Sequence, residues 1–208
     1  VKTDRVTWGS CMVACGDADG MVAGNTRHYA ATVDKLMQSI GSRDDEIVFG
    51  LCVFVNRGRT IVIADTNVIE YPTSEELASI AKSSARVAKL LGLDPKIAFL
   101  SHSTFGQPET DRTKRISKAV EMLKNEKVEF LFDGEMQPDV ALNNKYKGTY
   151  SFSNIVGSAN VLVMPSIHAA AISIKMLKEL SRGKVFGPLL IGLAQPIEVA
   201  PLNTFYGN

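Results

Sequence analysis

The alternation of short apolar runs with longer helical segments is the feature that most restricts the fold of this chain. Runs rich in β-branched residues alternate with segments whose apolar positions recur at helical spacing. Neighbouring parallel strands need a long crossover connection, which a helix supplies. The alternation therefore predicts an α/β fold with mainly parallel strands. From residue 96 onwards, the predicted elements in chain order are strand 96–100, helix 112–124, strand 129–132, helix 138–142, strand 161–164, helix 168–180 and strand 188–192.

Two local signals before residue 96 are more specific. The β-branched runs at 47–55 and 60–64 are joined by Asn-Arg-Gly-Arg, which predicts a β-hairpin. Thr73 is followed three residues later by Glu76, the spacing of a capping box, in which each side chain bonds a backbone amide that the helix leaves unpaired. A long amphipathic helix should therefore begin at Thr73 and end at Gly92, since glycine tolerates the left-handed conformation that terminates helices.

The stretch Gly-Asp-Ala-Asp-Gly-Met-Val-Ala-Gly at 16–24 has the composition of a ligand-binding loop, but its spacing excludes three common types. A calcium loop starting at Asp17 would place Met21 and His28 at positions that need oxygen ligands. A phosphate-binding loop needs Gly-Lys-Ser/Thr, whereas Gly24 precedes an asparagine. The Gly-x-Gly-x-x-Gly dinucleotide fingerprint does not occur in the sequence.

A tight corner between a helix and a strand explains this stretch better, because glycine and aspartate dominate turns for backbone reasons. We expect a helix over 6–15 that ends at Gly16, a short buried strand at 18–22, and a second helix over 27–40. In this interpretation the two aspartates cap the turn or face solvent.

Charge and hydropathy exclude several classes of partner. The 208 residues carry 23 Lys and Arg against 22 Asp and Glu, a net charge of +1, and no basic cluster is denser than 112–115. A nucleic-acid-binding surface is therefore not expected. The longest apolar runs fall far short of the roughly 20 residues that span a membrane. We expect neither nucleic acid nor a membrane as partner, and a cytoplasmic location.

The cysteine pattern disfavours a metal site. Cys11 and Cys15 are one helical turn apart and Cys52 stands alone, with no second close pair of ligands. Reduced thiols that pack as small apolar residues are the better interpretation, and no metal is expected in this chain.

Several polar clusters directly follow predicted strands. In open α/β sheets, ligands bind beyond the carboxyl ends of the strands, so a site is expected there. Serine and threonine hydroxyls at a helix start could hold phosphate oxygens, although each cluster could equally be a helix cap. His102 and His168 are weak acid–base candidates, because no carboxylate near them in sequence could orient them. The clusters are 65–67, 101–104, 133–135 and 165–168.

Taken together, seven stretches resemble the phosphate acetyl/butyryltransferase family. The resemblance runs in order through nearly all of the chain. Leu-Ser-His-Ser, Asp-Gly-Glu-Met and Ala-Asn-Val-Leu-Val-Met-Pro most resemble the version fused to the C-terminus of bacterial NADP-dependent malic enzymes, whereas stand-alone transferases typically carry Ser-Tyr-Ser-Thr and Asp-Gly-Pro. The stretches lie at 16–24, 63–68, 72–78, 100–106, 133–141, 159–165 and 187–196.

The resemblance implies a two-domain fold similar to isocitrate dehydrogenase, with mainly parallel sheets and a cleft between the domains. By analogy, residues 1–44 and 187–208 belong to the first domain and 45–186 to the second. The N-terminal portion of the first domain is expected to lie upstream, in a longer protein of which this chain is a part.

The resemblance also implies which positions meet the ligand. Active members move an acetyl group between phosphate and the thiol of CoA, with a carboxylate as base and with arginines and a serine holding phosphate. The ligand-binding positions implied here are Arg27, Ser101, Ser103, Thr104 and Asp133.

Catalytic positions of the family, in contrast, are replaced. An arginine position aligns with Asp34, the Ser-Arg pair aligns with Pro201 and Leu202, and the aspartate with Asn208. Proline and leucine cannot donate to a phosphate oxygen, and asparagine cannot act as a base, so no catalytic residue for acetyl transfer is assigned.

Three functions are compatible with this pattern. The first is a regulatory and oligomerisation domain that binds acetyl-CoA as an effector, with NADP and a divalent metal bound by the malic-enzyme part of the protein. The second is an active phosphate acetyltransferase with rearranged catalytic groups. The third is a structural dimerisation module with an empty cleft. An acyl-CoA and a second copy of the chain are the expected partners.

Overall fold

The computed structural model describes residues 4–44 and 46–202, and within them the elements follow the predicted alternation. In chain order they are α1 Arg5–Cys15, β1 Met21–Gly24, α2 Tyr29–Ser39, β2 Phe49–Asn56, β3 Arg59–Ala64, α3 Ser74–Leu90, β4 Lys96–Leu100, α4 Asp111–Glu126, β5 Leu131–Met136, α5 Pro138–Leu142, a 3₁₀ turn Asn144–Lys147, β6 Val161–Val163, α6 Ile167–Leu180, β7 Lys184–Ile191 and β8 Ile197–Ala200.

Six of the strands form one sheet in the order β5-β4-β6-β3-β2-β7. The pairs β5–β4, β4–β6 and β6–β3 are parallel, whereas β3–β2 and β2–β7 are antiparallel. The predicted α/β class is confirmed, and so is the hairpin formed by β2 and β3. The predicted strand 188–192 is the end of the longer β7, which runs antiparallel to its neighbour rather than parallel.

Helices cover both faces of this sheet because its central strands are apolar on both sides. Alternate residues of a strand point to opposite faces. Accordingly, Phe99 packs against α3 and α4, whereas Ala98 and Leu100 belong to the cluster that contains residues of α5 and α6. The predicted capping box is confirmed, with Thr73 and Glu76 bonding each other's backbone amides at the start of α3.

The first two helices pack instead around a small parallel sheet of β1 and β8. Gly16 ends α1 in the left-handed conformation, as predicted. A side chain at Gly24 would lie 2.1 Å from the carbonyl oxygen of Ala200, so glycine is required for β1 and β8 to approach each other. The stretch 16–24 is therefore a tight corner that joins α1 to β1.

The short strands include clear differences from the sequence prediction. β1 begins at Met21 rather than at residue 18, and it is partly exposed rather than buried. β5 begins at Leu131 rather than at residue 129, and β8 was not predicted. Strands this short carry too few alternating residues to locate them by pattern alone. The division into two domains remains a prediction.

Within the described part of the chain, no helix is long and apolar enough to cross a membrane.

Candidate functional site

A cavity of about 300 Å³ lies beyond the carboxyl ends of the parallel strands β4 and β6. Ser101 and His102, which follow β4, contribute to one wall, and Ser166, which follows β6, contributes to another. The structure thus places a concave site where open α/β sheets bind ligands.

Two arginines of α4, Arg112 and Arg115, line this cavity. Nη2 of Arg115 donates to the carbonyl of Pro165 at 2.9 Å, and its Nε is buried without a hydrogen-bond partner. Burial lowers the pKa of Arg115, the positive charge of Arg112 lowers it further, and Glu76 opposes the shift. Within the described residues neither guanidinium forms an ion pair, so the cavity has an excess of positive charge.

The N-terminus of α6 adds a second source of positive potential. Ser166 caps the helix by accepting a hydrogen bond from the amide of Ala169 at 3.4 Å, and both residues line the cavity. Because the amides of a first helical turn point outwards with their partial positive charges, anions are stabilised there. The cavity is suited to an anionic ligand.

The predicted residues 101–104 form a compact loop at the edge of this cavity. Ser101 lines the cavity, whereas Ser103 and Thr104 are buried outside its lining. Oγ1 of Thr104 accepts the amide of Gln137 at 3.2 Å, and Nε2 of Gln137 donates to the carbonyl of His102 at 2.9 Å. These bonds hold the loop against the residues that follow β5.

Glu135, in β5, is the buried charge that organises this loop. Its side chain is only 1% exposed and accepts hydrogen bonds from Ser103 Oγ at 3.0 Å, the Gly106 amide at 2.7 Å and Ser117 Oγ at 2.5 Å. Burial raises the pKa of Glu135, but the bonds from Ser117, Gly106 and Ser103 outweigh it, so the net shift is downwards. The carboxylate is therefore ionised at neutral pH.

The charge on Glu135 leads to a pH-dependent prediction. A carboxyl whose folded-state pKa is lowered contributes stability above its unfolded pKa, and this is lost as the pH falls through the folded pKa. We expect Glu135→Gln to lower the free energy of unfolding by roughly 1–3 kcal/mol at neutral pH. The difference from wild type should shrink below the ordinary pKa of 4.5. Denaturant titrations of both proteins at a series of pH values measure this difference in the free energy of unfolding.

Glu198→Gln is a matched control, because the stability contributed by Glu198 depends on pH in the opposite direction. Burial raises the pKa of Glu198, against a hydrogen bond from the Leu190 amide, so its contribution is favourable at low pH and is lost as the pH rises through the folded pKa. Wild-type and Glu135→Gln curves that stay parallel at every pH would contradict the prediction for Glu135.

Asp133 and Arg27, also predicted to bind ligand, do not line this cavity. Asp133 is buried and accepts the amides of Gly134 at 3.0 Å and Asn154 at 2.7 Å, which ties β5 to the loop before β6. Arg27 pairs with Asp4 at 3.4 Å and lines a separate cavity of about 260 Å³ beside β1. The structure therefore brings Ser101, Ser103 and Thr104 together and leaves the other two elsewhere. Ligand binding by all five stays a prediction.

The two histidines lie in different surroundings. His102 lines the cavity and is exposed, whereas His168 is at the start of α6 with its Nε2 3.0 Å from Oε1 of Glu70. Glu70 is 98 residues away in sequence, which is why no local pattern indicated a carboxylate beside His168. The ring of His168 also contacts Tyr71, which lines the cavity.

The positions at which the family resemblance predicts replaced catalytic groups lie outside this cavity where they are described. Asp34 is exposed on α2, and Pro201 and Leu202 follow β8. Asn208 lies outside the described residues.

Arg112, Arg115 and Tyr71 are the site residues that sequence reasoning missed. The arginines are three apart at the start of an amphipathic helix, so they share a face. That spacing and the density of basic residues at 112–115 were the available signals. They did not show that this face meets the ends of β4 and β6, because the strand order brings them together.

Comparisons with known proteins agree with this architecture. The family model for phosphate acetyl/butaryl transferase matches residues 1–201. The NADP-dependent malic enzyme of Rhizobium meliloti is 46% identical over 203 residues, which cover 98% of this chain and 27% of that protein. The phosphate acetyltransferase of Acetivibrio thermocellus is 32% identical over 93% of this chain and 61% of that protein.

A solved structure extends the similarity to three dimensions. A phosphotransacetylase from Streptococcus pyogenes superposes with a TM-score of 0.88 and 30% identity, over 95% of this chain and 61% of that one. The chain thus spans about a quarter of the malic enzyme and about three fifths of the transferase. Since the family model matches nearly every residue and the fold agrees, the chain belongs to the phosphate acetyl/butaryl transferase family.

Proposed function

We propose that this chain is a phosphotransacetylase-like regulatory and oligomerisation domain of a larger NADP-dependent malic enzyme, and that it binds acetyl-CoA without transferring the acetyl group. The observation that carries the proposal is the composition of the cavity, whose lining includes two arginines and, among the residues that the structure describes, no aspartate or glutamate. Such a lining can bind an anion but lacks a carboxylate base.

The cavity chemistry suits the phosphate groups of CoA. A guanidinium donates in a planar fork that matches phosphate oxygens, and the N-terminus of α6 favours the same charge. The cavity volume of about 300 Å³ lies at the small end of the range for ligand sites, so the cavity would hold only part of an acyl-CoA. The remainder would extend over the exposed rim formed by His102 and Tyr71.

Acetyl transfer makes further demands that this chain does not meet at the aligned positions. A base must take the proton of the CoA thiol, and donors must stabilise the charge of the tetrahedral transition state. Losing one such donor typically reduces the rate by about 10²–10³-fold. Asp34, Pro201 and Leu202 replace several such groups at once.

Malate oxidation itself would belong to the part of the protein outside this chain. We assign NADP and the divalent metal to that other part, as the family resemblance implies. Among the described residues no three His, Cys, Asp or Glu side chains form a group that could hold a metal ion. Acetyl-CoA bound here would then alter malate oxidation through a coupling free energy between two sites. Contacts between copies of this domain would assemble the enzyme as a homo-oligomer.

Calorimetric titration of the purified chain with acetyl-CoA, together with an assay for acetyl phosphate, tests the proposal. We expect saturable binding and no turnover, with an active phosphate acetyltransferase as the positive control for the assay. Acetyl phosphate formation would contradict the proposal and favour the transferase alternative. If acetyl-CoA does not bind, the structural dimerisation module is favoured instead.

A further inference from the structure

The buried carboxylate of Glu135 has an unusual set of partners. The hydrogen bonds to its two oxygens come from neutral groups, namely two hydroxyls and one backbone amide, and within the described residues it has no cationic partner. Burying a charge is costly unless it is fully hydrogen-bonded, so these donors must be held in place for the charge to be tolerated. The carboxylate in turn fixes the positions of the groups that donate to it.

The position of the Ser103 proton follows from this arrangement. Oγ of Ser103 lies 3.0 Å from Oε1 of Glu135 and 3.1 Å from Oγ of Ser101, and it could donate to either. A hydroxyl has one proton, and an ionised carboxylate is the stronger acceptor. The Ser103 proton therefore goes to Glu135 and is not available to a ligand.

Ser101 is left with the opposite property. Its Oγ accepts the amide of Ser103 at 3.3 Å, which orients the side chain. Because the Ser103 proton goes to Glu135, the hydroxyl of Ser101 is the one that can donate across the 3.1 Å contact with Ser103 Oγ, which is a neutral acceptor. Ser101 lines the cavity together with Arg112 and Arg115. A phosphate oxygen is a stronger acceptor than the neutral Ser103 hydroxyl, so the Ser101 proton remains available to an anionic group in the cavity.

We propose that Glu135 is a positioning residue for the cavity, which takes the proton of Ser103 and holds the 101–106 loop so that Ser101 donates to an anionic group of the ligand. This inference rests on the proposed function, since the anionic group is taken to be a phosphate of acetyl-CoA. Glu135 itself does not contact the ligand, because its carboxylate is enclosed by Ser103, Gly106 and Ser117.

A double-mutant cycle separates this role from a general contribution to stability. Acetyl-CoA affinity is measured by calorimetry for the wild-type chain, Ser101→Ala, Glu135→Gln and the combined variant. We expect each single change to weaken binding about tenfold, the effect of losing one charge-assisted hydrogen bond. The combined variant should bind no more than about threefold more weakly than either single variant, because Glu135 acts through Ser101. Glu198→Gln, which removes a carboxylate outside the cavity, should bind like wild type.

Hydrogen exchange of the ligand-free chain provides the second measurement. In Glu135→Gln an amide nitrogen replaces one carboxylate oxygen, and the negative charge that strengthens the bonds from the 101–106 loop is lost. We expect the amides of 101–106, which open locally, to exchange at least about tenfold faster than in wild type, and those of β2 to change only in step with the free energy of unfolding.

The outcomes distinguish this inference from the proposed function. Additive effects in the cycle, or loop amides that exchange at the wild-type rate in Glu135→Gln, would overturn the role of Glu135. If the wild-type chain binds no acetyl-CoA, the proposed function fails, and the exchange measurement then decides alone whether Glu135 holds the loop.

Discussion

The double variant Arg112→Met/Arg115→Met is expected to bind acetyl-CoA at least about 100-fold more weakly than the wild-type chain, because each guanidinium contributes a charge-assisted contact worth roughly 1.5–3 kcal/mol. Methionine keeps much of the length of the side chain, so that packing along α4 changes little. Calorimetric titration of the two single variants and the double variant measures the effect.

Of the two single variants, Arg115→Met should also lower stability. Arg115 joins α4 to the turn before α6 through the carbonyl of Pro165, whereas Arg112 is exposed and lies 6.0 Å from the centre of the Tyr71 ring. Loss of affinity in Arg112→Met with an unchanged free energy of unfolding would therefore assign the effect to the ligand rather than to folding.

Two further variants test where the ligand binds. Lys82→Met removes an exposed positive charge of α3 that pairs with Glu126, outside the cavity, and should leave affinity unchanged. Arg27→Met removes the arginine predicted from the family resemblance, which lines the separate cavity beside β1. If Arg27→Met abolishes binding and the double variant does not, the ligand lies beside β1 and the assignment to the β4–β6 cavity is wrong.

Asp65→Ala is expected to lower the free energy of unfolding by roughly 3–5 kcal/mol, one of the largest effects of any single substitution in this chain. The Asp65 carboxylate is 2% exposed and accepts the amides of Gly50, Asn67, Val68 and Ile69, with distances of 2.5–3.3 Å. Alanine would leave these amides without their acceptor. Denaturant unfolding of wild type and variant measures the difference.

Asp65 also connects stability to the site. It ties the segment after β3, which leads to Tyr71 at the cavity, back to β2 through Gly50. Asp65→Asn keeps one oxygen acceptor and should fall between wild type and alanine. Asp17→Ala removes an exposed aspartate from the corner at 16–24 and should change the free energy of unfolding by no more than about 0.5 kcal/mol. An Asp65→Ala variant as stable as Asp17→Ala would show that the carboxylate does not hold this segment.

Most of the fold could be predicted from local patterns. The capping box at Thr73, the glycine that ends α1 and the β2–β3 hairpin are each specified by residues close together in sequence, and the structure contains all three. β8 was missed because four residues of alternating burial give too short a pattern. The antiparallel direction of β7 was missed because it depends on where the chain returns to the sheet.

The candidate site could be predicted only in part. Polar residues after β4 and β6 indicated the end of the sheet at which the cavity lies, and the family resemblance pointed to Ser101 there. Between the two carboxyls of the Asp-Gly-Glu segment, the sequence favoured Asp133, because the family resemblance pointed to it. In the structure, Asp133 bonds backbone amides and Glu135 bonds the serine loop. Spacing alone does not distinguish these roles, because residues two apart in a strand share a face.

The sequence by itself determined the α/β class and most of the helix and strand positions, because caps, glycines and apolar periodicity act over a few residues. The family followed separately, from the resemblance of seven stretches. The tertiary structure alone decided which charges meet. It placed Arg112 and Arg115 beside Ser101, paired His168 with Glu70, and buried Glu135 against Ser103 and Ser117. These contacts join residues from different elements. They depend on the strand order β4-β6-β3, which places distant segments side by side at the carboxyl ends of the parallel strands.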